Sequence, residues 1–344
     1  MGTDSHPIQP YALRDGAVIG VWTPSSPAPA LFPQRFRRAL SALRQHGFEV
    51  RTGRYATGND GLMAADPRLL AEDLHDLLRS PEVDAVVCAV GGYTSMSVLP
   101  FLDFDLIAES RKPIIGYSDV SALLWAILKR CSTITFHGPM VVSEWGESGG
   151  PFPYTVENFR RVLAPWTGPV VLAAPAEWTD EMLWWGREDT RPRRTRAGEW
   201  RRLAPGVAEG WLLPGCAPTV SRLFGTPYLP DPAGSILCLE TLEMSPEDFY
   251  GLLVQWRTSG LLDEINGLVV GRHYRPRSGG SGTDAFDRSV LAALGGRRIP
   301  VLVDVDFGHT EPRLTLPVGV RCRIDATRRE LTLLAPAVTE RENE

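Results

Sequence analysis

Residues 112–130 read KPIIGYSDVSALLWAILKR, and the fold turns on that stretch. Ile114 and Ile115 form a short apolar run that ends in Gly116-Tyr117-Ser118. Leu123, Leu124, Ile127 and Leu128 then recur at the spacing that lines one face of a helix. Strand, sharp turn, serine and helix are the layout of a nucleophile elbow. Gly116 lets the backbone turn tightly and leaves the Ser118 hydroxyl at the carboxyl end of the strand. The helix N-terminus behind it aims amide hydrogens and a partial positive charge at any oxyanion formed there. Val120 stands where the G-x-S-x-G pattern has its second glycine. The plain alternative is that Ser118 or Asp119 only caps the helix, a role both residue types fill well.

Similar units flank the elbow. Residues 17–22 (AVIGVW) are a continuous apolar run, as expected of a buried parallel strand, and end in the turn cluster Thr23-Pro24-Ser25-Ser26-Pro27. A helix is expected over 33–45, a strand over 48–52 and an amphipathic helix over 67–79. Residues 83–90 (VDAVVCAV) give another buried strand, running into Gly91-Gly92-Tyr93. Strands alternating with helices imply an α/β fold with an open parallel sheet and helices on both faces. Ligands of such sheets bind beyond the carboxyl ends of the strands, where Gly91-Gly92 and Ser118 both fall. The Gly91-Gly92 amides could complete an oxyanion hole with the amide of Asp119; equally, the glycines could serve only a tight turn.

Composition narrows the function classes. Hydrophobic content of 43% and charged content of 22% are ordinary for a globular enzyme, and a net charge of −5 gives no reason to expect nucleic acid or an anionic membrane as partner. The five cysteines are scattered without a C-x-x-C pair, which disfavours a zinc site or disulfide framework and suits a reducing cytoplasm. No basic-then-apolar leader opens the sequence, and no apolar run is long enough for a bilayer.

The character changes near Ser148, where SGGPFPYT reads as a linker. Residues 1–150 are expected to form the α/β domain, 151–205 a linker and substrate loop, and 206–344 a smaller strand-rich domain. Residues 178–211 lack a clean period and hold Trp178, Trp184, Trp185, Trp200 and Trp211 among many arginines. An indole there could stack on a planar ring while arginines hold a phosphate-like or carboxylate group. The alternative is a solvated loop anchored by buried tryptophans. Strands are expected over 235–239, 267–270 and 301–303, a helix over 246–259, and an antiparallel pair within 320–334.

A serine nucleophile needs a base and a group that orients it. Of six histidines, His6 lies in the opening residues and His46 and His75 fall on helices away from the strand ends, which leaves His137, His273 and His309. His309 follows a strand and a glycine. Glu240 ends an apolar strand, where a carboxylate is costly unless paired. Spacing alone does not bring Ser118, Glu240 and His309 together.

Several ordered stretches carry a resemblance: TPSS (23–26), VCAVGGYTS (87–95), IIGYSDVSALLWAI (114–127), TFHGPM (135–140), LFGTPYLPD (223–231), LCLETLE (237–243) and DFGHTEPRLTLPVG (306–319). Together the chain resembles the serine carboxypeptidase family that contains LD-carboxypeptidases and microcin C immunity peptidases. The resemblance implies a catalytic Ser118, Glu240 and His309, with Glu240 chosen over Glu243, and an oxyanion hole from Gly92 and Asp119. It implies a homodimer working in the cytoplasm without metal or organic cofactor, on a small peptide or peptidyl-nucleotide. The microcin-immunity branch has a longer loop where this chain carries its Trp/Arg segment, with a tryptophan that stacks on adenine. Trp184 or Trp185 in EMLWWGRED is placed for that role. Tyr93, Glu243 and Arg187 are further candidate substrate contacts. The alternative within the family is an LD-carboxypeptidase acting on murein tetrapeptides. Outside it, a ligand-binding module with a capping serine and an RNA-binding protein remain the competing classes.

Overall fold

The computed structural model describes residues 7–277 and 283–341. Its first half supplies β1 (Val18–Trp22), β2 (Glu49–Thr52), β3 (Ala85–Cys88), β4 (Ile114–Gly116) and β5 (Thr135–His137). The second half supplies β6 (Val170–Leu172), β7 (Glu177–Trp178), β8 (Arg196–Ala197), β9 (Arg201–Ala204), β10 (Val207–Cys216), β11 (Ser235–Glu240), β12 (Gly267–Gly271), β13 (Val301–Val305), β14 (Leu316–Val318), β15 (Arg321–Asp325) and β16 (Glu330–Leu333). A six-stranded sheet has the order β14-β5-β4-β3-β1-β2 and is parallel except for β14. An eight-stranded mixed sheet runs β6-β16-β15-β10-β11-β12-β13-β9. The fold is therefore the expected α/β type, a parallel sheet with flanking helices and a strand-rich second half.

Local chemistry explains most elements of the first sheet. β3 is buried along its whole length, as a strand covered on both faces must be. Helix Pro33–Gln45 buries Phe36, Ala39 and Leu43 along one stripe. Asp66 caps helix Pro67–Arg79 by accepting from Arg68 N at 2.9 Å, with Pro67 as the first helical residue. Helix Ser121–Cys131, expected to bury one face, instead buries every side chain from Ser121 to Leu128. The second sheet covers its other face: Trp125 donates to Pro214 O of β10 at 2.8 Å and meets Trp256 edge-on at 5.9 Å between ring centroids. A helix buried all round is the seam between two layers rather than a surface element.

Two features of the architecture were not legible in the residues. Both edge strands of the second sheet, β6 and β9, come from the 151–205 stretch read as linker and loop. Conversely β14, from the second half, adds to the first sheet against β5, pairing Leu316 with His137. Among the described residues, no helix is long and apolar enough to cross a membrane.

Candidate active site

Ser118 sits at φ 59°, a left-handed conformation that costs a residue with a β-carbon about 1–3 kcal/mol. The elbow around it is closed by contact. A β-carbon on Gly116 would fall 2.6 Å from Val120 Cγ1, so the valine side chain fills the space that glycine opens, and no second glycine is needed. Asp119 Oδ2 accepts from Ser25 Oγ at 2.7 Å and from Ser95 N at 2.8 Å, while Ser95 Oγ donates to Asp119 O at 2.8 Å. The TPSS turn and the segment after Gly91-Gly92 are thereby tied to the serine. A β-carbon on Gly91 would lie 2.9 Å from Ser118 Cβ, 3.0 Å from its Oγ and 3.3 Å from Asp119 N. Gly92 takes φ 153°, open to glycine, and presses against Ser25 and Ser26. The Gly91 turn thus packs directly against the Ser118 hydroxyl and the amide of Asp119.

Glu240 ends β11 fully buried, and glycines make room for it: β-carbons on Gly271 and Gly308 would sit 2.8 and 2.9 Å from its Cβ. His309 lies on the 306–315 loop between β13 and β14. Its Nδ1–H donates to Glu240 Oε2 at 2.8 Å, which leaves Nε2 to accept the Ser118 hydroxyl at 2.9 Å. Burial alone would raise the Glu240 carboxyl, but the adjoining imidazoles of His309 and His137 outweigh it and hold the group below its ordinary range. Tyr117 meets the His309 ring edge-on at 5.1 Å and Tyr274 stacks over it at 6.2 Å.

The other candidate histidines are engaged elsewhere. His137 Nε2–H donates to Phe307 O at 3.0 Å, and burial pushes its imidazole down to about 4. His273 pairs with Thr241 Oγ1 through Nδ1 at 2.6 Å, and burial pushes it down to about 3.

Two cavities meet at Ser118 and Gly92. One, of about 290 Å³, is lined by His309, Tyr274, Trp185 and Arg193, with Glu144, Glu311 and Arg313 at its wall. The other, of about 500 Å³, takes in Tyr93, Glu243, Cys216, Arg222 and Arg277. Of the candidate substrate contacts, Trp185 reaches the first cavity, and Tyr93 and Glu243 the second. Trp184, 55% exposed, and Arg187 line an adjoining apolar hollow of about 430 Å³, which shares Trp185, Phe32 and Met182 with the first cavity.

Most of the Trp/Arg segment is structural. Trp178 is sandwiched between the Arg196 and Arg272 guanidiniums at 4.0 and 4.3 Å. Trp200 is buried and donates to Asp306 Oδ2 at 2.8 Å, anchoring the loop that carries His309. Arg191 pairs with Glu181, Arg196 with Asp180, and Arg201 with Asp287 and Asp304. Sequence reasoning missed the group at the cavity wall. Arg313, 1% exposed, binds Glu311 at 2.6 Å and Glu144 at 3.1 Å and lies 3.7 Å over the Tyr117 ring, whose hydroxyl donates to Glu144. Burial pushes the Glu144 carboxyl up to about 8, against the pull of Arg313. The only sequence signal was charge inside otherwise apolar runs. Among the described residues, no three His, Cys, Asp or Glu side chains converge as metal ligands would.

Known proteins resemble this chain over most of its length. Residues 19–138 match the LD-carboxypeptidase N-terminal domain, and residues 209–324 the LD-carboxypeptidase C-terminal domain. The microcin C7 self-immunity protein MccF of Escherichia coli is 30% identical, with 97% of each chain covered. A probable murein peptide carboxypeptidase of Bacillus subtilis is 26% identical, again over 97% of each. The structure of MccF in complex with glutamyl sulfamoyl guanosine superposes with a TM-score of 0.91 at 28% identity, covering 97% of this chain and 100% of that one.

Proposed function

The chain belongs to the LD-carboxypeptidase family, and from that premise we propose that it hydrolyses an amide bond near the carboxyl end of a peptide or a peptidyl- or aminoacyl-nucleotide, by acyl transfer to Ser118. The carrying observation is the hydrogen-bonded chain in which His309 bridges Ser118 at 2.9 Å and Glu240 at 2.8 Å. Nε2 of His309 takes the serine proton as Oγ attacks the carbonyl carbon. Glu240, held ionised, stabilises the imidazolium and keeps the ring turned toward Ser118. The amides of Asp119 and Gly92 receive the oxyanion. His309 then returns the proton to the departing nitrogen, and water, activated by the same ring, releases the acyl group.

The nucleotide-bearing substrate is favoured by Trp185, whose indole lines the cavity beside Ser118. It is supported by the likeness to MccF, a protein of microcin C7 self-immunity captured with glutamyl sulfamoyl guanosine. The activity would then be immunity to, or detoxification of, a peptidyl-nucleotide antibiotic. A murein tetrapeptide is the second reading, supported by the family's LD-carboxypeptidase domains and the Bacillus relative. The deciding experiment measures kcat/KM of the purified protein for an aminoacyl-sulfamoyl adenosine and for a murein tetrapeptide. Preference for the nucleotide is expected. Preference for the tetrapeptide would transfer the protein to cell-wall recycling, and hydrolysis of neither would remove the carboxypeptidase reading.

A further inference from the structure

The cavities on either side of Ser118 are not equivalent. A histidine that has taken the serine proton must give it to the leaving nitrogen, so the leaving group departs on the histidine side. His309 lines the smaller cavity, with Trp185; the larger one, with Tyr93 and Glu243, lies on the side left for the acyl group. In a carboxypeptidase the leaving group carries the anion. The smaller cavity should therefore present a cation that, even if ion-paired, keeps accessible N–H donors to spare.

Arg313 does not meet that need. It is bound to Glu311 and Glu144, and although the residue borders the cavity, its one unpartnered nitrogen, Nη1, is buried and the whole side chain is 1% exposed. Arg193 does. Its Nε and Nη2 fork Glu147 at 3.1 and 2.6 Å, and a guanidinium carries more N–H donors than those two bonds use. Its side chain keeps 13% exposure and lines the cavity. Glu147 is itself fixed from behind by Arg35 Nη2 at 2.7 Å, and the Arg35 guanidinium lies 4.5 Å from the centre of the Trp185 ring. One buried arginine thus props both the carboxylate that holds Arg193 and the indole beside it. Of the segment's arginines, only Arg193 is among the residues lining this cavity.

We propose that Arg193 is the specificity residue for the leaving group, docking the anionic oxygens just beyond the scissile nitrogen. Those oxygens are a terminal carboxylate in a peptide or a sulfamoyl or phosphoryl group in a nucleotide conjugate. This rests on the triad reading above but not on the choice between its two substrates.

The test crosses Arg193→Gln and Arg193→Lys with three substrates: a murein tetrapeptide, the same peptide as its C-terminal primary amide, and an aminoacyl-sulfamoyl adenosine. For whichever acid wild type turns over, Arg193→Gln should lower kcat/KM by roughly 10- to 100-fold, chiefly through KM. Turnover of the peptide amide should stay within about threefold, so the preference for acid over amide collapses. Arg193→Lys should restore part of that preference. Loss on the tetrapeptide alone, or on the adenosine conjugate alone, identifies which anion the residue serves. Unchanged acid-over-amide preference in a variant with a wild-type melt overturns the proposal, as does equal loss on acid and amide, which marks a merely structural arginine. Failure of wild type to hydrolyse any of the three, with no fluorophosphonate labelling of Ser118, strikes instead at the triad reading on which this one stands.

Discussion

His137 and Glu240 are both fully buried, and their environments set different acid responses. His137 is held down to about 4, against an ordinary value of 6.5. Between those values the unfolded chain binds a proton that the folded chain does not, so stability falls as pH drops from about 6.5 toward 4. A shift of that size corresponds to about 3 kcal/mol. Glu240 is also depressed, but as an acid: its contribution is intact above the ordinary carboxylate range and is lost as pH falls through its own lower value. Urea midpoints at several pH values should show His137→Gln losing less stability than wild type from pH 6.5 to 4; parallel curves would acquit His137. Ser118→Ala should cost several orders of magnitude in turnover, and adding His309→Ala should cost little more, because the pair shares one proton transfer. If the double loss equals the product of the single losses, the two residues do not act together. Ser118, Glu240 and His309 each stood out beside a strand end, but it was the family resemblance, not their spacing, that grouped them as a triad. The Arg313–Glu144 pair was not legible, because its two members lie more than a hundred residues apart and only the fold brings them together.

At the scale of elements, the two turns at Ser118 fit by touching. Gly91→Ala drives a β-carbon to 2.9 Å from Ser118 Cβ, so either turn must yield and the hydroxyl shifts from His309. Displacements near an ångström cost about 100-fold in rate. The expected outcome is a drop of that order in kcat and in fluorophosphonate labelling, with a thermal midpoint close to wild type; an unchanged rate would free the Gly91 turn from any catalytic part. The paired tryptophans separate in the same way. Trp185→Ala should weaken an adenosine-bearing substrate by roughly 10- to 100-fold, while Trp184→Ala, whose side chain is exposed and does not line the cavity at Ser118, should not. Parallel kcat/KM measurements on the adenosine conjugate and on a peptide without a base decide it, and equal losses for both substrates would mark Trp185 as structural. Helices 33–45 and 67–79 could be read because each carries its own apolar stripe. The short strands β6 and β9 could not, because three or four residues hold no period and their pairing partners are remote.

For the molecule as a whole, the first sheet is incomplete without β14, and the N-terminal residues reach the far end of the chain, with Ala12 N bonded to Thr339 O at 2.8 Å. Unfolding is therefore expected to be a single transition, with loss of tryptophan signal and loss of activity coinciding in urea. Separate midpoints for the two signals would mean that the halves melt independently. Sequence patterning conveyed an α/β half and a strand-rich half, since each follows from local periodicity. It did not convey that the halves exchange an edge strand, because such pairing is non-local.

That exchanged strand makes the chain suitable for splitting. The 165–169 connection is largely exposed and joins helix Pro153–Leu163 of one half to β6 of the other. Fragments divided there would each hold half of the Ser118–His309 pair, and the C-terminal fragment would donate its own strand to finish its partner's sheet. Hydrolysis recovered on mixing would then report the proximity of whatever two proteins the fragments were fused to.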